Sequence, residues 1–184
     1  MTRTKLWLFA VSMSCFCGCV GAVVEGVHIT RDNQIRSENE PAARRGDRIA
    51  QYNLGESYCC STSDSGPAYD TTVAVHWLCS SARQGYAPAM YKLGKIYTGD
   101  VIDGVRLLRR AVTAVHESAT NSTVSMPIGY AWLRLAQVYG DSDAAVRLQN
   151  VKADMTASEI RTGESLAARG LSIPCEMKEV LPNN

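Results

Sequence analysis

The feature that most constrains the fold is a nine-residue segment that occurs twice. Residues 50–58 read AQYNLGESY and residues 89–97 read AMYKLGKIY, so Ala, Tyr, Leu, Gly and Tyr recur at the same positions 39 residues apart. A period of roughly 20 to 50 residues is typical of repeat proteins, in which one supersecondary unit is copied and stacked. The recurring residues offer no reactive group, so the segment indicates a packing unit and not a catalytic motif.

The spacing within this segment predicts a helix with one packing face. At about 100° per residue, the first, fifth and ninth positions fall along one side of a helix. These positions are Ala50, Leu54 and Tyr58, and the same three residue types return in the second copy. The Gly beside this stripe costs about 1 kcal/mol relative to Ala, but it allows a neighbouring helix to approach closely.

Glycine and tryptophan extend the unit beyond the nine residues. Gly46, Gly85 and Gly140 each stand four residues before an Ala. A glycine in the left-handed conformation at such a position ends one helix and lets the next begin. Trp77 and Trp132 each stand eight residues before one of these glycines. The unit is therefore predicted to contain two helices, the second of which carries the Trp.

The complete pattern predicts an all-α domain. In the second unit, Leu107 takes the Trp position of the second helix. A third copy of the first helix of the unit is expected to start at Ala119. It has Thr123 where Leu should stand, so this copy is expected to be a degenerate repeat helix. Helices are expected near residues 47–60, 71–84, 87–98, 103–117, 127–139, 142–153 and 156–169.

The order A-x-Y-x-L-G-x-x-Y, then A-x-x-W, then A-x-x-G-x-x-x-A-x-x-x-L-G-x-x-Y, resembles the Sel-one-like repeat, a relative of the tetratricopeptide repeat. The resemblance implies an α/α solenoid over residues 41–170, closed by a C-terminal capping helix. Residues 171–184 are expected to form an irregular tail. The resemblance also implies a scaffold or adaptor role, in which a protein or peptide binds the concave face.

The N-terminus has the layout of a secretory signal. Arg3 and Lys5 precede an apolar run that ends in small residues, so residues 1–18 are interpreted as a signal peptide. The stretch FCGC resembles a bacterial lipobox and predicts lipidation of Cys19. Residues 19–40 would then be the lipidated N-terminus and a flexible tether. Val20 after the lipidated cysteine resembles the outer-membrane sorting choice, so we expect an outer-membrane lipoprotein that faces the periplasm or the cell surface.

Two other readings of the N-terminus stay open. Cleavage by an ordinary signal peptidase, for instance after Ala22, would give a soluble secreted protein. A retained helix from Leu6 to Val24 has 19 residues, against the ~20 that span a bilayer.

Four cysteines lie beyond Cys19, and an even number in an exported chain is compatible with disulfides. Adjacent cysteines rarely reach disulfide geometry without strain, so Cys59 and Cys60 are not expected to bond to each other. We expect one bridge from Cys59 or Cys60 to Cys79. The alternative is that Cys79 is a small buried hydrophobic residue.

Charge and motifs favour no catalytic or nucleic-acid-binding class. The formal net charge is +1 with basic residues spread along the chain, which offers no nucleic-acid footprint. The three histidines are far apart, no Cys/His spacing matches a zinc site, and no S-x-x-K or G-x-S-x-G motif is present. We therefore expect no catalytic residue, metal, cofactor or small-molecule substrate.

Tyr52 and Tyr91 are the candidate partner-binding residues, because they lie about 160° from the packing leucine of each repeat helix. Tyr58, Tyr97, Trp77 and Trp132 are instead expected in the core. The sequence therefore favours a non-enzymatic interaction module of the cell envelope. The alternatives are an immunity or inhibitor protein for an envelope-targeted toxin, and a β-lactam-binding or -hydrolysing protein, since some cysteine-rich members of the repeat family have been linked to that activity.

Overall fold

The chain is helical throughout the part that the structure describes. The structure is a computed structural model, which describes residues 30–60, 70–100, 125–176 and 179. These ranges contain helices and one short 3-10 turn, and no strand. The elements are α1 over residues 30–44, α2 Arg48–Tyr58, α3 Thr71–Ala82, α4 Ala87–Tyr97, α5 Met126–Val138, α6 Ala144–Ala153, α7 Ala157–Ala167 and the 3-10 turn Gly170–Ser172.

The prediction of an all-α fold is confirmed for these ranges. Each of the helices α2 to α7 begins and ends within two residues of its expected position. The helix expected at residues 103–117 lies outside the described residues, as do the predicted signal peptide and Cys19. Among the helices that the structure describes, none is long and apolar enough to cross a membrane.

The turn glycines have the conformation that the repeat predicts. Gly46, Gly85 and Gly140 have φ values of 95°, 80° and 94°, in the left-handed region that glycine enters without steric cost. After the first of these turns, the Asp47 carboxylate accepts hydrogen bonds from the backbone N–H groups of Ile49 and Ala50. The end of one helix and the start of the next are therefore fixed locally by sequence.

The repeat glycines inside α2 and α4 mark two equivalent helix pairs. A Cβ atom on Gly55 of α2 would lie 2.7 Å from Leu78 Cγ of α3. A Cβ atom on Gly94 of α4 would lie 2.5 Å from Leu133 Cγ of α5. Leu78 and Leu133 each directly follow a repeat tryptophan. The α2–α3 and α4–α5 pairs therefore pack through the same sequence positions.

This equivalence corrects the expected order of the repeats. The helix paired with α4 is α5, so Trp132 stands to α4 as Trp77 stands to α2, whereas Leu107, the residue expected at this position, lies outside the described residues. The distance from Trp77 to Trp132 is 55 residues instead of 39. The sequence pattern was misread because helix periodicity alone does not say which helices pair when a connection is longer than usual.

The expectation of a flexible tether is wrong for residues 30–40, which belong to α1. Ala43 of α1 is 1 % exposed, and the Arg36 guanidinium lies 4.0 Å from the centroid of the Tyr58 ring on α2. Asn53 of α2 also donates a hydrogen bond to Asn39 of α1, at 3.0 Å. The polar sequence before Gly46 hides this helix, since it has few apolar residues and contains Pro41, which disfavours a helix interior.

The core lies between α3, α4 and α5. Its largest fully buried side chains include Leu78, Met90, Leu93 and Trp132. The last helix, α7, packs on α5, where a Cβ atom on Gly163 would lie 2.6 Å from the Tyr130 ring. A capping box between Thr156 and Glu159 fixes the start of α7.

Candidate functional site

The two candidate tyrosines occupy matching positions on α2 and α4. Tyr52 and Tyr91 are both partly buried, whereas the leucines two residues later, Leu54 and Leu93, are 2 % and 0 % exposed. The matching residue of α6 is Val146, which is 68 % exposed. One register position is therefore at least partly exposed on three helices, although both tyrosine rings also pack against the edge of the core. We use the name tyrosine face for Arg48, Tyr52, Glu56, Tyr86, Tyr91, Lys92, Lys95 and Tyr139.

Tyr52 belongs to an aromatic pair at one end of this face. Its ring centroid lies 5.4 Å from that of Tyr86, at an interplanar angle of 67°, the edge-to-face geometry that aromatic rings favour. The Arg48 guanidinium lies 5.8 Å from the Tyr86 ring. Burial raises the pKa of Tyr52, and the carboxylates of Glu56 and Asp141 act in the same direction. The hydroxyl therefore stays protonated and remains a hydrogen-bond donor.

Tyr91 belongs to a more basic part of the face. Its ring packs against the core near α5 and α6, and Lys95 Nζ lies 6.0 Å from the ring centroid. Lys92, next to Tyr91, reaches back to α2 with its Nζ 2.6 Å from Glu56 Oε1. The structure records no ring contact between Tyr52 and Tyr91 within the ranges it describes, but the Lys92–Glu56 ion pair connects their helices.

Two tyrosines of this face were missed by sequence reasoning. Tyr86 directly follows the turn glycine Gly85, and Tyr139 directly precedes the turn glycine Gly140. A Cβ atom on Gly85 would lie 3.1 Å from Tyr139 Cε1, which brings the two turns together. Tyr139 is 45 % exposed, an unusual environment for a large ring. The sequence feature that could have identified these two tyrosines is the aromatic residue beside each turn glycine.

The expected bridge from Cys59 or Cys60 to Cys79 is replaced by a different pairing. Cys79 is bonded to Cys175, with sulfurs 2.06 Å apart and Cα atoms 5.7 Å apart. The sulfurs of Cys59 and Cys60 are paired with each other, which adjacency argued against. Both Cys79 and Cys175 are 0 % exposed, because the face of α3 that carries Cys79 is covered by the chain that follows α7.

That C-terminal segment, residues 170–176 and 179, is docked and is not a free tail. Ile173 is 1 % exposed and lies in the core. The Tyr97 hydroxyl donates to the backbone carbonyl of Cys175, and the Trp132 indole N–H donates to that of Pro174 at 3.4 Å. Burial raises the pKa of Tyr97, and the carboxylates of Glu179 and Glu176 do so further.

Acidic residues hold the end of the segment to α3. Arg83 Nη2 lies 2.9 Å from Glu179 Oε2, and Arg83 Nη1 lies 3.7 Å from Glu176 Oε1. Glu179 also accepts hydrogen bonds from the backbone N–H groups of Cys175 and Glu176. Partial burial opposes ionisation of Glu179, but these hydrogen bonds and Arg83 outweigh it and lower its pKa.

The repeat aromatics divide into a buried and a partly exposed pair. Tyr97 and Trp132 are 0 % exposed, as expected for core residues. Tyr58 and Trp77, at the matching positions of the first unit, are only partly buried. The C-terminal segment covers the first pair and not the second, which accounts for the difference.

In the ranges that the structure describes, no group of three or more His, Cys, Asp or Glu residues is placed to hold a metal ion. His76 lies at the surface, with Nδ1 3.7 Å from Glu176 Oε2 and its ring against Trp77. The other two histidines, His28 and His116, lie outside the described residues.

Comparison with known proteins gives this chain no relative. No protein-family model, no curated protein and no solved structure matches it.

Proposed function

We propose that this protein is an exported, non-enzymatic interaction module, an α/α solenoid of Sel-one-like repeats that binds a protein or peptide on its tyrosine face. The observation that carries the proposal is the recurrence of Tyr52 and Tyr91 at one register position, where both rings stay partly exposed while the leucines two residues later are buried. Tyrosine supplies a large contact area and a hydrogen-bonding hydroxyl, and it orders few torsions on binding, which is why it is enriched in interfaces.

The charges of the face suit a polypeptide partner. Glu56 and Lys92 pair across α2 and α4 beside the rings, while Arg48 and Lys95 lie at opposite ends. Tyr and Arg are enriched in binding hot spots, and a polar rim usually surrounds them. A strongly basic surface for nucleic acid would instead carry one sign of charge.

Export to an oxidising compartment is part of the proposal. The Cys79–Cys175 disulfide joins residues 96 positions apart, and such structural disulfides persist outside the reducing cytosol. The signal-like N-terminus and the lipobox-like FCGC stretch point to the same route, with a lipid on Cys19 as anchor in the bacterial envelope.

Site-specific photocrosslinking tests the partner-binding surface. A photoreactive amino acid is placed at Tyr52, at Tyr91 and, as a control, at Arg161, which is exposed on α7. One protein should be captured from positions 52 and 91 and not from position 161. With that protein purified, Tyr52→Ala should weaken binding by about tenfold or more, whereas Tyr52→Phe keeps the ring and should have a much smaller effect.

Two results would contradict the proposal. The first is capture of the same protein with equal yield at position 161. The second is a Tyr52→Ala variant that keeps wild-type affinity while its melting temperature shows that it is folded.

A further inference from the structure

The C-terminal segment shows how one groove of this fold holds an extended chain. The floor of the groove is formed by Tyr97 and Trp132, which donate hydrogen bonds to two successive backbone carbonyls of the segment. On its side, Arg83 of α3 binds the carboxylates of Glu176 and Glu179. Backbone carbonyls and an acidic side chain are therefore what this groove recognises.

This groove is built from repeat positions, so residues of the same types recur at the matching positions of the first unit. Tyr58 matches Tyr97 and Trp77 matches Trp132 in the two equivalent helix pairs. The local geometry agrees as well. The carbonyl of Tyr58 accepts from the N-cap residue of α3 at 3.0 Å, and the carbonyl of Tyr97 accepts from the N-cap residue of α5 at 2.8 Å.

The acid-binding arginine also recurs. Arg44 of α1 stands 39 residues before Arg83. Each of these arginines directly follows an Ala and stands two residues before a turn glycine, Gly46 or Gly85. The Arg44 side chain is 67 % exposed, and its recorded ion pair is with Glu40 in the same helix, itself 44 % exposed. Exposed pairs of this kind contribute little stability and exchange readily with a new carboxylate.

The two copies differ in what covers them. Tyr97 and Trp132 are completely buried under the C-terminal segment, whereas Tyr58 and Trp77 are partly exposed. In the described part of the chain, neither the Tyr58 hydroxyl nor the Trp77 indole N–H has a hydrogen-bond partner, although Arg36 covers one face of the Tyr58 ring. We call Arg44, Tyr58 and Trp77 the first-unit groove.

We propose that the first-unit groove binds an extended segment of a partner polypeptide in the way the second groove binds the C-terminal segment. The occupant has an aliphatic residue, a proline, a variable residue and a glutamate in that order, as in Ile173 to Glu176. A second copy of this chain is not the occupant, because its own segment is held by the Cys79–Cys175 disulfide. Glu40 stands where Cys79 does in the second groove, so binding is noncovalent.

A peptide of residues 170–179 with Cys175→Ser, GLSIPSEMKE, is the probe. Its binding to the full chain with disulfides intact is measured by fluorescence anisotropy of an N-terminal label. We expect saturable binding with a Kd below about 1 mM. The disulfide keeps the second groove occupied, so the signal reports the first-unit groove.

Three variants identify the groove. Trp77→Phe removes one hydrogen bond and should weaken binding by about two- to tenfold. Arg44→Ala should weaken it by about two- to fivefold, with no further loss when Glu176 and Glu179 of the peptide are both changed to Gln. Arg45→Ala is the matched control, since Arg45 is the exposed neighbour of Arg44, and it should leave the affinity unchanged.

Three outcomes would overturn the proposal: no saturable binding up to 1 mM peptide, binding that Trp77→Phe and Trp77→Ala leave unchanged, or equal losses in Arg44→Ala and Arg45→Ala. None of these residues belongs to the tyrosine face. A negative result for peptide binding to the first-unit groove therefore does not bear on the photocrosslinking experiment, which tests the tyrosine face.

Discussion

The Cys79–Cys175 disulfide gives the sharpest quantitative test of this structure. The perturbation is the double variant Cys79→Ala/Cys175→Ala. Both sulfurs are completely buried, so alanine removes the crosslink without placing a new polar group in the core. The bridge closes a loop across a sequence separation of 96 residues. A disulfide across a loop of that length gives a stabilisation near the upper end of the range known for crosslinks.

The expected loss follows from the length of the loop. In the chain-entropy model, removing a crosslink across about 100 residues lowers the free energy of unfolding by up to about 4–5 kcal/mol. At roughly 2–4 °C per kcal/mol for a chain of this size, the melting temperature should fall by about 8–20 °C. The urea m-value should rise as well, because the unlinked unfolded chain exposes more surface.

Urea and thermal denaturation, followed by far-UV circular dichroism, measure both quantities. The matched control is Cys59→Ala/Cys60→Ala, which removes a pairing between adjacent residues. That pairing joins neighbouring residues and closes almost no loop. The free energy of unfolding of the control should therefore fall by no more than about 1 kcal/mol. Mapping of disulfide-linked peptides under nonreducing conditions identifies the partners directly.

Two results would refute this reasoning. One is a loss below about 1 kcal/mol in Cys79→Ala/Cys175→Ala, which would mean that the loop-closure entropy of the unfolded chain does not set the contribution of this crosslink. The other is a peptide map in which Cys79 is linked to Cys59 or Cys60, the pairing expected from the sequence.

Three further predictions concern packing, pH and the N-terminus. Gly94→Ala should lower the free energy of unfolding by about 1–3 kcal/mol in urea denaturation, because its Cβ would lie 2.5 Å from Leu133 Cγ and overpacking outweighs the better helix propensity; an unchanged midpoint would argue against the close approach of α4 and α5. Glu179→Gln should destabilise the protein at neutral pH, and the difference should fade below pH 4.5 as the lowered pKa of Glu179 in the folded state is reached; a pH-independent difference would exclude the charge as its cause. Intact mass of protein from the membrane fraction should show a diacylated chain that begins at Cys19, whereas an unlipidated chain that begins near Val23 would make it a secreted protein.

The helices were predictable because their signals are local. The turn glycines, the Ala/Leu/Tyr stripe and the capping aspartates each act within a few residues of chain, so α2 to α7 could be placed to within two residues. The polar helix α1 escaped this reasoning, since it is held by Arg36 and Asn39 against α2 and not by an apolar stripe of its own.

The candidate site was predictable in part. The position of Tyr52 and Tyr91 outside the leucine core followed from helix geometry. Tyr86 and Tyr139 join them through a contact between two turns that are more than 50 residues apart in sequence, and no local pattern encodes that contact. The covering of Tyr97 and Trp132 by residues 173–176 was missed for the same reason.

The sequence by itself determined where α2 to α7 begin and end and which faces of the repeat helices carry leucine, because backbone capping and helix periodicity depend on near neighbours. Tertiary structure alone decided that α4 pairs with α5, that Cys79 bonds to Cys175, and that the C-terminal segment covers Tyr97 and Trp132. These choices depend on the cost of closing long loops and on which surfaces meet once the helices pack, and such information is spread over the whole chain.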